Sequence, residues 1–206
     1  VALTFDLFGT LVDIDYPIDP AEAVARELES RGVRVPDDWH VAYGEVHIDA
    51  PEGAEVPLPA HVAAALDSRE VDVSDNAARH AVVAAFDPDV TRRDGALEAI
   101  RAADDRGPVG ILSNCSVPEL VPRTLIRSGL RGEFDAVTTS IGCGWRKPDS
   151  RAFEVAAEAL GTTAADLTHV GDDPAVDGAI ESAGGRFIDV TETSLTELPT
   201  RLEARR

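Results

Sequence analysis

The chain opens with VALTFDLFGTLVD, residues Val1 to Asp13. Val1 to Phe5 is apolar and strand-like, it ends at a single carboxylate, Asp6, and the Gly9-Thr10 pair behind it is a turn signal. A strand that hands an acid to a tight turn sets the frame for the rest of the sequence. Similar short apolar runs recur at Val109 to Leu112, Phe134 to Thr138, Leu167 to Val170 and Arg186 to Val190. Helical patterns lie between them, at Gly95 to Asp105, Pro118 to Ser128, Arg151 to Leu160 and Ala175 to Ala183. Gly107, Gly129, Gly161 and Gly184 follow those patterns as helix C-caps would.

Strands alternating with helices imply a parallel sheet covered on both faces. The expected class is α/β, a Rossmann-like parallel sheet with helices on both sides. Residues 15 to 89 break the alternation. They carry Ala/Glu/Arg-rich helical stretches at Pro20 to Ser30, Asp37 to Tyr43, Pro59 to Ser68 and Ser74 to Phe86, separated by Pro/Gly/Glu loops such as Asp49 to Pro59. The expected organisation is a core domain of residues 1–14 and 90–206, with an inserted α-helical domain at 15–89.

Composition narrows the partners. Across 206 residues the net charge is -19, which argues against nucleic acid and anionic membranes. No apolar stretch approaches the roughly 20 residues that cross a bilayer. Cys115 and Cys143 match no zinc or CxxC spacing, so a reducing, cytoplasmic setting is expected. Lys147 is the only lysine in the sequence. High acidity with almost no lysine points to a halophilic protein, whose self-repulsion salt would screen. The expected partner is a small-molecule substrate, and the oligomeric state is left open.

In a parallel sheet, ligands bind beyond the carboxyl ends of the strands. The polar residues at those ends are Asp6 and Thr10, then Ser113 and Asn114 in ILSN, Lys147 in GWRKPD, and Asp172, Asp173 and Asp177 in GDDPAVD. A carboxylate, a hydroxyl, an ammonium and an acidic cluster converging on one crevice would suit a nucleophile, an anion clamp and a divalent cation. A lone lysine at such a place fits function better than chance, because a compact ammonium can sit beside a nucleophile where a planar guanidinium cannot. Plainer roles exist for several neighbours. Ser113 and Asn114 could cap a helix, and Asp173 could be an N-cap. Cys115 and Trp145 read as packing residues and His169 as a core residue. His40, His47, His61 and His80 are scattered and suggest no metal site.

Together these motifs resemble the haloacid dehalogenase (HAD) superfamily of hydrolases, with FDLFGTLVD as motif I, ILSN as motif II, RKPD as motif III and GDDPAVD as motif IV, and with a helical cap inserted after motif I. The resemblance implies that Asp6 is the nucleophile, that Thr10 supports its loop, and that Ser113 and Lys147 stabilise the transferred group. It further implies that Asp6, the backbone carbonyl at Phe8 and Asp172 hold Mg²⁺, with Asp177 at the second acidic position and Asp173 as an extra carboxylate.

Phe8 divides the readings. In the family's phosphatases a second Asp stands there as general acid and base, and an aromatic residue at that position resembles the dehalogenase branch. The acidic motif IV points instead to metal and phosphate. Three functions follow: Mg²⁺-dependent hydrolysis of a small phosphate ester, metal-independent 2-haloacid dehalogenation, or metabolite binding without catalysis. For the second, Arg26, Arg31 and Arg34 are the available carboxylate-binding residues.

Overall fold

The computed structural model describes residues 1 to 204; Arg205 and Arg206, the end of the expected core domain, lie outside it. Its centre is strand β1 (Ala2–Phe5), all four residues of which are buried. β4 (Val109–Ser113) and β6 (Leu167–Gly171) flank it, and β5 (Ala136–Thr139) and β7 (Arg186–Asp189) form the edges, in the order β5-β4-β1-β6-β7. Every pairing in this sheet is parallel. The chain therefore winds outward from β1 on one side and returns to build the other, which leaves a crevice at the carboxyl end of β1.

Alternation along the strands divides the core. Leu3, Phe5, Val109, Ile111 and Val170 face one side, where α5 (Ala96–Asp104), α6 (Leu120–Arg127) and α9 (Leu198–Glu203) cover them. Ala2, Leu112 and Leu167 face the other, under α8 (Ser150–Ala159) and the turns at Asp177–Ala183. Helices on both faces are thus what the sequence pattern leads one to expect.

Residues 15–89 contain α1 (Pro20–Ser30), α2 (Trp39–Gly44), α3 (Leu58–Asp67) and α4 (Asp75–Ala85), with no strand among them. α1 starts at Pro20 because Asp19 caps the Glu22 amide, and the Trp39 indole donates to the Ala21 carbonyl at 2.8 Å. The buried apolar cluster runs unbroken from the sheet face into these helices, through Leu7 and Leu11 to Val24, Leu28 and Val82.

The structure corrects one element and adds others. Asp177–Ala183 is 3₁₀ rather than α-helical, since the Asp177 side chain is bonded back to the core and tightens the turn. β2 (Val12–Ile14) and β3 (Val90–Arg92) form an antiparallel ribbon across the two ends of the helical segment. Each is three residues long, too short to show a period. α7 (Ser140–Cys143) is a single turn that the sequence reading also lacks.

Candidate active site

The Asp6 amide donates to Val170 O at 2.8 Å, which fixes the carboxylate at the junction of β1 and β6. The chain then turns at once. Gly9 adopts φ +82°, and a Cβ there would sit 2.6 Å from Asp172 Oδ2. Only glycine meets both demands. Thr10, fully buried, donates through Oγ1 to Asp172 Oδ1 at 2.8 Å, so the loop behind Asp6 holds the carboxylate that follows β6. Arg93, just past β3, donates to the Gly9 carbonyl.

Lys147 reaches this junction from the loop after α7. The Asn114 side chain grips its backbone from both sides, donating to Lys147 O at 2.8 Å and accepting from Lys147 N at 2.9 Å. The Lys147 side chain is 1% exposed, and Nζ donates to Asp6 Oδ1 at 2.8 Å, Asp177 Oδ1 at 2.6 Å and Leu112 O at 2.9 Å. His169 completes the cluster. Its Nε2 lies 3.1 Å from Asp177 Oδ1 and its Nδ1 2.9 Å from Thr4 Oγ1, while Phe153 packs against the ring.

The two carboxyls on Lys147 are driven apart. Burial pushes Asp6 up to about 6 against the pull of Lys147, and the charges of Asp177 and Asp172 add to the rise. Burial also acts to raise Asp177, but the His169 hydrogen bond and the Lys147 charge outweigh it and hold Asp177 well below the usual range. His169 is lowered to about 4, first by burial and then by Lys147. At neutral pH it is therefore a neutral ring between a hydroxyl and a carboxylate.

Asp6, Asp172 and Asp177 each offer an oxygen within 4.8 Å of the others, the one such grouping of acids, histidines or cysteines among the described residues. Lys147 and Thr10 occupy one oxygen each of Asp6 and Asp172. The other oxygen of each accepts no hydrogen bond among the described residues. Three grouped carboxylates, only two of them paired with the ammonium and with hard oxygens to spare on Asp6 and Asp172, fit a small divalent cation. Ser113 Oγ, at the end of β4, is buried without a hydrogen-bond partner.

Of the residues singled out in the sequence, Asp6, Thr10, Lys147, Asp172 and Asp177 come together directly. Asn114 orders the lysine loop and caps no helix. Asp173 is set apart: it is exposed, its Oδ1 accepts from the Ala175 amide, and it is not one of the three grouped carboxylates. The Phe8 ring packs edge-on against Tyr16. Arg26 and Arg31 pair with Glu22 and Glu27 of α1, and Arg34 is exposed. Cys115 is buried, its thiol pushed up to about 11 chiefly by burial, and Trp145 carries the Arg151 guanidinium 3.4 Å above its ring.

Sequence reasoning missed three contributors. His169 reads as a core residue, and it is buried, but it also holds Asp177. Glu55, in a loop that reads as solvated, is buried with Oε2 accepting from Ser140 Oγ at 2.5 Å; Ser140 in turn accepts from the Cys115 amide. Tyr16 gave no signal beyond being aromatic.

The model of one protein family, described as haloacid dehalogenase-like hydrolase, matches residues 1–184. A search of curated proteins finds no match. Among solved structures the fold is similar to a 2-haloacid dehalogenase from Pseudomonas syringae, with 19% identity over 99% of this chain and 98% of that one at a TM-score of 0.63. It is similar also to a protein described as a HAD-hydrolase from Bacillus subtilis bound to magnesium, with 17% identity over 98% and 97% of the chains at 0.58. A HAD phosphatase from Thermococcus onnurineus is 17% identical over 94% of this chain and 87% of that one at 0.57. No helix among the described residues is long and apolar enough to cross a membrane.

Proposed function

The chain belongs to the haloacid dehalogenase-like hydrolases, and on that footing we propose that it hydrolyses a small phosphate monoester at Asp6 with Mg²⁺ as its cation. The observation that carries this reading is the charge balance of the crevice: three carboxylates are grouped there, and a single buried ammonium pairs with only two of them. A phosphate dianion cannot approach that surface without a further cation, whereas a haloacid dehalogenase gains nothing from the extra acids. Asp6, Asp172 and the main-chain carbonyl of Phe8 would hold the ion, which supplies charge neutralisation at the phosphoryl oxygens.

The remaining steps belong to the chain itself. Asp6 attacks phosphorus and is later released by water. Lys147 keeps the nucleophile oriented and offsets its charge. Ser113 Oγ, buried and unpartnered, is a donor in waiting for a phosphoryl oxygen. Thr10 holds Asp172, and Asn114 holds the lysine loop. The helical segment 15–89 acts as a cap over the core formed by residues 1–14 and 90–206, and selects the substrate. A second reading, release of halide from a 2-haloacid, is favoured by Phe8, which leaves no acid beside Asp6.

A paired assay separates them: phosphate released from an aryl phosphate and halide released from 2-chloropropionate, each with Mg²⁺ and with chelator. Phosphate that appears only with Mg²⁺ supports the proposal. Halide released without metal would replace it by the dehalogenase, and neither product would leave a metabolite-binding member of the family.

A further inference from the structure

We propose that the ester accepted by this site is an aryl phosphate, whose ring leaves across an aromatic surface formed by Phe8 and Tyr16. The inference rests on the phosphatase reading and specifies its substrate class.

No carboxyl stands at position 8, so nothing on that loop protonates a departing oxygen. An alcohol holds its proton about as tightly as water, and its alkoxide leaves poorly without an acid. A phenol ionises at about 10, so an aryloxide leaves unaided. The Asp6 carboxylate bonds to phosphorus as the bond from phosphorus to the aryl oxygen breaks, and the electron pair departs with the aryloxide. Water then attacks the aspartyl phosphate. Asp6 is returned as carboxylate, one water proton stays on the phosphate, and the other reaches the aryloxide through solvent.

Phe8 lies two residues beyond the nucleophile, and its ring meets Tyr16 edge-on, at 6.2 Å between centroids and 64° between planes. Tyr16 meets Phe86 in the same way, at 6.4 Å and 70°. These rings join the Asp6 loop to the incoming and outgoing linkers of the helical segment. Tyr16 remains 50% exposed, and its hydroxyl has no hydrogen-bond partner among the described residues. The Tyr16 ring thus carries the aromatic contact from Phe8, at the end of the Asp6 loop, out to the surface. An exposed ring with a free hydroxyl, braced from below by a second ring, is a surface for another aromatic group, since edge and offset pairings favour such contact.

The test uses the Mg²⁺-loaded protein and three substrates: 1-naphthyl phosphate, butyl phosphate and acetyl phosphate. Naphthyl phosphate is expected to exceed butyl phosphate in kcat/KM by about 10²-fold or more, the scale of a missing general acid. Tyr16→Leu, which keeps apolar bulk but removes the ring, is expected to lower the naphthyl-to-acetyl ratio of kcat/KM by about tenfold, chiefly through KM. If acetyl phosphate is hydrolysed but naphthyl phosphate is no better than butyl phosphate, the inference is overturned and the phosphatase reading stands. An unchanged ratio in Tyr16→Leu likewise overturns it, and returns the rings to a purely structural role at the linkers. No phosphate from acetyl phosphate would overturn both.

Discussion

Two sets of paired charges in this molecule are built differently. In the crevice, the lysine is 1% exposed and Asp177 3%, and each lies within 2.8 Å of its partner or closer. Along the seam between the helical segment and α6, Arg79 pairs with Glu119, Arg123 with Asp87 and Arg127 with Asp87, and in each pair at least one side chain is about half exposed. Buried charges are costly to separate once formed, whereas exposed pairs contribute little. The crevice is therefore a fixed arrangement and the seam an adjustable one. Glu55 is the exception on the segment's side: its side chain is 1% exposed, and it is bonded to Ser140. It fastens the loop before α3 to the turn that precedes Lys147.

The largest effect should come from breaking the crevice. Lys147→Met leaves Asp6 and Asp177 buried side by side without their cation, and should cost about 3–5 kcal/mol of stability at neutral pH. The sign with pH follows from Asp6. Its folded-state pKa already lies above the unfolded value, and removing the lysine raises it further. Such a carboxyl costs stability as pH rises through its folded pKa. The deficit of Lys147→Met relative to the wild type should therefore be greater at pH 8 than at pH 5 in chemical denaturation. An equal deficit at both would show that the lysine does not offset these acids.

Smaller effects should rank the contacts of the helical segment. Glu55→Ala removes the acceptor of a buried hydroxyl and should cost about 1–3 kcal/mol. Arg79→Ala, at an exposed pair, should stay within about 1 kcal/mol. Thermal midpoints of the two variants should fall in that order. Equal losses would mean that the segment is held evenly along its length, with no fixed point at Glu55.

What was legible in the sequence divides along the same line. Asp6, Ser113 and Asp172 each end or follow an apolar run, so a parallel sheet brings them to one edge whatever the loops do. Lys147 stood out because arginine fills every other cationic position except the histidines. Contacts that depend on how separate segments dock leave no local trace. β2 and β3 pair across the whole helical segment that separates them in sequence. Glu55 sits among prolines and glycines that read as a solvated loop, and its burial comes from Ser140, far along the chain. Asp173 shows the converse. Beside Asp172 in sequence it looks like a ligand, but the tight turn after β6 sends its side chain to the Ala175 amide instead.

Calorimetric titration of MgCl₂ into the protein tests, without any substrate, whether Asp6 and Asp172 hold a divalent cation. Wild type should show saturable binding at a single site. Asp172→Asn should abolish it, because it removes one of the two carboxylates with an uncommitted oxygen, while Asp173→Asn should retain it. An absence of saturable binding in the wild type, or binding as tight in Asp172→Asn, would contradict a metal-dependent site and leave Phe8 and the dehalogenase chemistry as the better guide.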